Sequence, residues 1–279
     1  MQTYAYYNGK FGKKDEIYIP LTDRSIYFGD AVYDAAVGRY DRIMWEDEHI
    51  DRFFANTSRI GIKLQLSKKD FASLLHEVAI KSMIENYFIY FQASRCLNER
   101  VHSYSGSYTS LLITVSPFTM NNDKRSLNLV TFKDMRYGYC DIKTVNLLPA
   151  VLASTKAKEL GCDEAVFVRQ GIVTEGAKSN IAIIKRGRVI THPKNNKILS
   201  GITRAHLQRA CKQINIPFIE ERFSVKEMFS ADEILITSTT NLCKAAQEID
   251  GKTVGGNARS VAKALSDVLY NEYKSICTN

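Results

Sequence analysis

A polar stretch without hydrophobic periodicity, residues 117–125, divides this 279-residue chain into two halves, and this break strongly constrains the fold. In each half, apolar runs with strand character dominate the centre and amphipathic helical segments lie outside them. The pattern predicts a smaller α/β domain over 1–117, a linker over 118–126 and a larger domain over 127–279. We therefore expect a two-domain α+β protein with antiparallel or mixed sheets flanked by helices, and not a doubly wound parallel sheet.

Local signals predict where several helices begin and end. Ser67 and Asp70 form a capping-box pattern ahead of an apolar helical face. A second helix is expected from about Asn146 to Leu160, with Pro149 in its first turn, where a missing N–H costs nothing. Further strands, helices and Gly-containing turns follow, so the second half is also expected to be mixed in structure.

The composition excludes several classes of protein. The net charge is +8, but Lys and Arg are scattered along the chain without a nucleic-acid motif, so no nucleic-acid partner is expected. The six cysteines form no C-x-x-C pair, which predicts reduced thiols and no metal site. Neither a signal peptide nor an apolar run of membrane-spanning length is found. A cytoplasmic protein without a membrane partner is the expectation.

Lys143 and Glu175 lie 32 positions apart, each in a short polar motif beside a regular element. One amine and one carboxylate on rigid elements are what a pyridoxal phosphate site requires, since the amine forms a Schiff base and the carboxylate keeps the ring nitrogen protonated. Taken singly, either residue could be an ordinary surface charge. The two together favour the cofactor interpretation.

Three other features could bind a phosphate. Residues 200–204 open a helix whose free N–H groups suit an anion, although an ordinary Ser/Gly cap is at least as good an interpretation. Residues 237–241 form a hydroxyl-rich turn after an apolar strand, which could equally be a capping cluster. Arg52 lies opposite the apolar face of its helix and could be a surface ion pair or a partner of the phosphate.

These motifs, in this order, resemble the class IV (fold type IV) pyridoxal-phosphate aminotransferases. The resemblance runs from about residue 4 to about residue 270, and so many ordered motifs are hard to obtain by chance. The segments that carry it are Gly29–Asp34, His49–Arg52, Asp141–Lys143, Thr174–Gly176 with Ser179–Asn180, Ser200–Arg204 and Thr237–Thr240.

The resemblance implies pyridoxal 5′-phosphate as cofactor, bound at the interface of the two domains. Lys143 would form the covalent link and shuttle the substrate proton, and Glu175 would hold the ring nitrogen. Leu199 would pack on the ring face. The residues that would bind the phosphate are Arg52, Ile202, Thr203, Thr239 and Thr240.

Residues 90–102 resemble the Arg-x-His loop of the D-amino-acid transaminases within this family. There, an arginine and a histidine matching Arg100 and His102, with a tyrosine matching Tyr33, bind the substrate α-carboxylate. Taken alone, Arg100 and His102 could be two exposed loop residues. The resemblance implies transamination of D-amino acids such as D-alanine with a 2-oxo acid such as 2-oxoglutarate, giving pyruvate and D-glutamate. It also implies a homodimer, because this loop reaches the partner's active site in the family.

The sequence departs from the D-amino-acid transaminase pattern at Ala177 and Lys178, which intervene before Ser179. Lys178 could meet the phosphate or a substrate carboxylate, or could point to solvent. Cys96, within the loop, is given no role beyond packing. A branched-chain L-amino-acid aminotransferase and an aminodeoxychorismate lyase stay open as alternatives, and so does a non-catalytic protein that binds the cofactor.

Overall fold

The computed structural model describes residues 2–95, 99–104, 108–120 and 125–277. The chain divides into two compact units. The first comprises Met1–Met120, Ile142–Asn146 and Tyr273–Asn279, and the second comprises Asn121–Asp141 and Leu147–Glu272. The expected domain limits, 1–117 and 127–279, stay a prediction. Cys96 and residues 121–124 of the expected linker lie outside the described residues.

The first unit contains one six-stranded antiparallel sheet in the order β2-β1-β6-β5-β3-β4. Its strands are β1 (Tyr4–Tyr7), β2 (Lys10–Lys13), β3 (Ala31–Arg39), β4 (Arg42–Ile43), β5 (Asn86–Arg95) and β6 (Thr109–Pro117). Its helices are α1 (Arg24–Phe28), α2 (Glu46–Arg59) and α3 (Lys68–Ser82).

Aromatic packing holds α2 and α3 on this sheet. Phe53 of α2 stacks on Phe71 of α3 with ring centroids 5.2 Å apart, and its edge meets Phe91 of β5 at 5.0 Å. All three rings are fully buried. As predicted, α3 begins with Ser67, whose hydroxyl accepts a hydrogen bond from the amide of Asp70 at 3.1 Å.

The second unit contains a nine-stranded mixed sheet in the order β12-β11-β10-β13-β14-β7-β8-β9, with β15 paired to β14. Strand β7 is parallel to both of its neighbours, so this sheet is not purely antiparallel. The strands are β7 (Leu127–Lys133), β8 (Glu164–Arg169), β9 (Ile172–Gly176), β10 (Asn180–Lys185), β11 (Arg188–Thr191), β12 (Phe218–Glu220), β13 (Glu233–Ser238), β14 (Leu242–Ile249) and β15 (Lys252–Thr253). The helices are α4 (Leu148–Glu159), α5 (Ile202–Gln213), α6 (Val225–Phe229) and α7 (Arg259–Cys277), and α7 belongs to the first unit from Tyr273 onward.

Burial on both faces explains the continuous apolar runs at the centre of this sheet. Ile181 and Ile183 of β10 and Ile234 and Ile236 of β13 are almost wholly buried, and so are the residues that alternate with them. The sharp turn between β8 and β9 uses Gln170 with Gly171, both with positive φ, as hairpins of two residues prefer.

The mixed α+β class predicted from the sequence is confirmed. Helix α4 begins at Leu148, two residues after the expected start, and Pro149 lies in its first turn as predicted. No helix in the described part of the chain has the length and apolar character needed to cross a bilayer.

Candidate active site

Lys143 lies in a short segment, 142–146, that runs beside strand β3 of the first unit. The amide of Tyr33 donates to the carbonyl oxygen of Lys143 at 2.9 Å, and the amide of Val145 donates to the carbonyl of Ala31 at 3.3 Å. Lys143 is half-buried, and its Nζ lies 4.4 Å from the centroid of the Tyr33 ring. The main chain of the lysine is therefore fixed, and its amine lies against an aromatic face.

The ring of Tyr33 is supported from β5. Tyr90 stacks on Tyr33 with centroids 5.3 Å apart, and its hydroxyl donates to Oε1 of Gln92 at 2.6 Å. Burial raises the pKa of Tyr90 above its ordinary value, and the neighbouring Tyr33 adds to the shift. Tyr90 is therefore a neutral hydrogen-bond donor at physiological pH.

Arg52, on α2, is held by a buried carboxylate. Its Nε and one terminal nitrogen bind the two oxygens of Asp34 on β3, each at 2.7 Å. Nδ1 of His49, one turn earlier on α2, lies 2.8 Å from the same carboxylate. Asp34 is fully buried, whereas the Arg52 side chain keeps 14% of its surface exposed. The guanidinium is thus fixed along one edge.

The charges in this cluster are set by the same contacts. Burial alone would raise the pKa of Asp34, but the charge of Arg52, with the hydrogen bond from His49, holds that pKa well below its usual range. Burial lowers the pKa of His49. Asp34 raises that pKa, whereas the charges of Arg52 and Lys143 lower it further, and the net shift is downward. We therefore assign an ionised Asp34, a charged Arg52 and a neutral His49.

Arg100 and His102 are exposed in the loop that follows β5. The guanidinium carbon of Arg100 lies 5.6 Å from the centroid of the Phe28 ring, and the ring of His102 lies 5.4 Å from it. The structure therefore brings these two predicted residues together over one aromatic side chain of α1. Part of the same loop, residues 96–98, lies outside the described residues.

Glu175, at the end of β9 in the second unit, is buried and has both oxygens bound. Arg136 donates to Oε1, while the side chain of Asn180 and the amide of Leu199 donate to Oε2, each at 2.9 Å. The Asn180 side chain also donates to the carbonyl of Leu199 at 2.9 Å. Glu175 and Leu199, both predicted site residues, are therefore neighbours.

Arg136 connects Glu175 with a second buried carboxylate. Its guanidinium binds both oxygens of Asp134 at 3.0 Å and lies 4.5 Å from the centroid of Phe167. Burial alone would lower the pKa of Arg136, but Asp134 and Glu175 raise it beyond its ordinary value. A permanent positive charge therefore lies beside Glu175.

The beginning of helix α5 has free polar groups. Gly201, the N-cap residue, provides no side-chain cap. The hydroxyl of Thr203 is buried and finds no hydrogen-bond partner among the described residues. A Cβ atom at position 201 would overlap Oδ1 of Asn180, so a side chain there would have to displace the Asn180 amide. The predicted residues Ile202 and Thr203 therefore lie at a helix N-terminus that has the donors an anion would need, including the Thr203 hydroxyl.

Thr239 and Thr240 lie in the turn between β13 and β14 and are half-buried. Both threonines are thus partly accessible to a ligand.

Lys178 is exposed, next to the buried Ser179.

Sequence reasoning missed four residues that hold the predicted ones: Asp34, His49, Arg136 and Asn180. Three of them could have been found from the sequence, because Asp34, His49 and Asn180 lie inside the motifs that carry the family resemblance. Arg136 had no such signal. Its role is visible only once β7 and β9 are placed in one sheet, because its partner lies 39 positions away.

Taken unit by unit, the side chains suit the separate groups of pyridoxal phosphate. An orphaned buried hydroxyl at a helix N-terminus fits a phosphate, a bound carboxylate fits a ring nitrogen, and a lysine amine fits an aldehyde. Among the described residues no group of three His, Cys, Asp or Glu side chains could hold a metal ion.

Comparison with known proteins gives concordant results. Residues 31–249 match the family model described as amino-transferase class IV. D-alanine aminotransferase of Bacillus licheniformis is 33% identical over 95% of this chain and 97% of its own length. D-alanine aminotransferase of Staphylococcus haemolyticus is 34% identical over 97% of this chain and 98% of its own. The Escherichia coli branched-chain amino acid aminotransferase shares the fold, with a TM-score of 0.89 at 19% identity, covering 100% of this chain and 97% of that one.

Proposed function

This chain belongs to the class IV aminotransferase family, and from that premise we propose that it transfers the amino group of a D-amino acid to a 2-oxo acid. D-alanine and 2-oxoglutarate are the proposed pair, which gives pyruvate and D-glutamate. The observation that carries the proposal is the identity of 33–34%, over nearly the whole chain, with relatives named D-alanine aminotransferase. The Arg100-x-His102 loop supports it.

Pyridoxal 5′-phosphate is the proposed cofactor, and when bound it supplies an aldehyde that condenses with amines and a ring that withdraws electrons. Lys143 would provide the covalent anchor, and its freed amine would take the proton from the substrate Cα. The fixed main chain of Lys143 supports this role, because only the side chain then has to move.

The remaining cofactor contacts are proposed from each unit separately. Glu175 would accept a hydrogen bond from the protonated ring nitrogen, and the charge of Arg136 would keep it ionised. Arg52 in the first unit would bind the phosphate, together with the second unit's helix end and the turn after β13. The proposed phosphate residues of the second unit are Ile202, Thr203, Thr239 and Thr240, while Leu199 packs on the ring.

The substrate carboxylate would be bound by Tyr33, Arg100 and His102. A guanidinium, an imidazole and a phenol together can neutralise and orient one carboxylate. In a homodimer, which is part of the proposal, Arg100 and His102 would come from the partner subunit. A cytoplasmic location also stays part of the proposal, and fractionation of cells tests it.

A half-reaction screen tests the function. The purified enzyme is mixed with D- and L-forms of alanine, glutamate and leucine, and the cofactor absorbance is followed as it converts to the pyridoxamine form. We expect conversion with D-alanine and D-glutamate. Conversion with L-leucine and none with D-alanine would replace the proposal with the branched-chain activity, and no conversion with any amino acid would favour a non-catalytic protein.

A mixed dimer tests the shared site. One chain carries Lys143→Ala and the other Arg100→Ala. If Arg100 acts in the partner's site, one of the two sites contains both changes and the other contains neither, so about half of the wild-type activity per dimer returns, by the reciprocity of a two-fold interface. If Arg100 acts in its own subunit, no intact site forms and activity stays low.

A further inference from the structure

Arg24, the first residue of α1, is a buried arginine with all three guanidinium nitrogens occupied. Nε binds Asp30 at 2.9 Å, and the two terminal nitrogens donate to the carbonyl of Val101 at 2.7 Å and to the carbonyl of His102 at 3.0 Å. Only 3% of Arg24 is exposed. Two adjacent carbonyl oxygens of one loop are therefore held by a single planar group.

Asp30 compensates the buried charge and connects it to the rest of the unit. Besides Arg24, it binds Nε of Arg95 at 2.8 Å. Arg95 in turn donates to the carbonyls of Ile60 at 2.5 Å and Gly61 at 3.1 Å, just after α2. The position of Arg24 is thus fixed by a network, and a buried charge without such partners would be costly.

The two carbonyls that Arg24 binds belong to Val101, which lies between the proposed ligands Arg100 and His102, and to His102 itself. The main chain at positions 101 and 102 is bound, whereas the side chains of Arg100 and His102 are exposed. Both side chains lie over Phe28, one helical turn after Arg24 on α1, and the Arg24 guanidinium is 4.6 Å from the same ring. Helix α1 therefore holds the loop by its main chain and supports its side chains.

We propose that Arg24 is a positioning residue, which fixes the loop so that Arg100 and His102 present a preformed site to the substrate carboxylate. The inference rests on the proposed function. Arg24 cannot bind the substrate itself, because it is buried and its charge is paired with Asp30. Its influence passes through the two carbonyls.

The test compares Arg24→Lys with Arg39→Lys. Lysine keeps the positive charge next to Asp30 but cannot span both carbonyls with a planar fork. Arg39 is a matched control, because it binds Glu85 through Nε at 3.0 Å and a terminal nitrogen at 2.7 Å without contact to the loop. We expect KM for D-alanine to rise roughly tenfold in Arg24→Lys, with kcat and the cofactor spectrum little changed. Arg39→Lys should resemble the wild type.

Two further readouts separate positioning from a general loss of structure. Trypsin cleavage of the holoenzyme after Arg100 should be faster in Arg24→Lys and unchanged in Arg39→Lys. When Arg100→Ala is already present, adding Arg24→Lys should raise KM much less than it does in the wild type, since the two changes act on one contact. Equal increases in both backgrounds, or unchanged cleavage, would overturn the inference. An inactive wild type would instead refute the proposed function, while the cleavage comparison would still decide whether Arg24 holds the loop.

Discussion

The amide of Tyr33 donates a hydrogen bond to the carbonyl oxygen of Lys143 at 2.9 Å, and the ring of the same tyrosine lies under the lysine amine. Tyr33 thus contacts the lysine at both ends, its main chain through a hydrogen bond and its amine through the face of the ring. The lysine side chain therefore lies along the tyrosine ring from its main chain to its amine.

We expect Lys143→Ala to bind the cofactor without a covalent link and to lose transamination, because only a neutral amine near the aldehyde can form the link. Lys178→Ala is the control, since Lys178 is exposed and adjoins the Glu175 motif. Borohydride reduction of the wild type, followed by peptide mapping, identifies the modified lysine. A cofactor adduct on any lysine other than Lys143 contradicts the assignment.

Glu175→Gln should keep the cofactor bound but slow the half-reaction at least roughly tenfold, the factor given by a loss of about 1.4 kcal/mol. The amide cannot hold the ring-nitrogen proton by charge, and an NH₂ group that faces Arg136 cannot accept the hydrogen bond that the carboxylate oxygen accepts. Stopped-flow absorbance measures the rate. Glu159→Gln, on the exposed part of α4, is the control and should have the wild-type rate. If Glu175→Gln is equally fast, a residue other than Glu175 holds the ring nitrogen.

Asp34→Asn should weaken cofactor binding roughly tenfold, because the single oxygen of an amide cannot accept from both nitrogens on one edge of the Arg52 guanidinium as the two carboxylate oxygens do. Titration of the apoenzyme with pyridoxal phosphate gives the dissociation constant. Asp51→Asn removes an exposed carboxylate from the same helix as Arg52 and should leave that constant unchanged. If Asp34→Asn and Asp51→Asn bind the cofactor equally well, Asp34 does not position Arg52 for the phosphate.

The His76–Glu46 pair predicts a pH dependence of stability. The hydrogen bond to Glu46, 2.8 Å away, raises the pKa of His76 above its ordinary value, with a smaller contribution from Asp41. The stabilisation is therefore fully present below about pH 6.5, the unfolded value, and is lost as the pH rises through the higher folded value. Urea unfolding should show His76→Gln less stable than the wild type at about pH 5.5 and equal to it at about pH 8.5. A difference that grows with pH would reverse the sign and refute the assignment.

Features set by local sequence were predictable, and features set by distant contacts were not. The Ser67 cap and the position of Pro149 follow from neighbouring residues, and both were predicted. Helix α4 starts later than expected, and in the structure the Asn146 side chain donates to the carbonyl of Gly29 at 2.9 Å, a partner 117 positions away. No local pattern contains such a contact.

In the candidate site, too, residues marked by local motifs were predictable and residues placed by distant contacts were not. Lys143 and Glu175 could be named because their chemistry and motifs are local. The guanidinium beside Glu175 could not, because Arg136 becomes its neighbour only through the pairing of β7 with β8 and of β8 with β9. The residues proposed to contact a ligand could thus be named from the sequence, whereas several residues that hold them in place could not.

The glycine at position 201 limits how this protein can evolve. Any side chain there would displace Asn180, and Asn180 donates to the carboxylate of Glu175. A substitution at the start of α5, the proposed phosphate site, would therefore disturb Glu175, the proposed partner of the ring nitrogen, without contacting it. Substitutions at Gly201 and Asn180 should therefore show epistasis. A descendant of this chain that has changed one of these residues is expected to have changed the other as well.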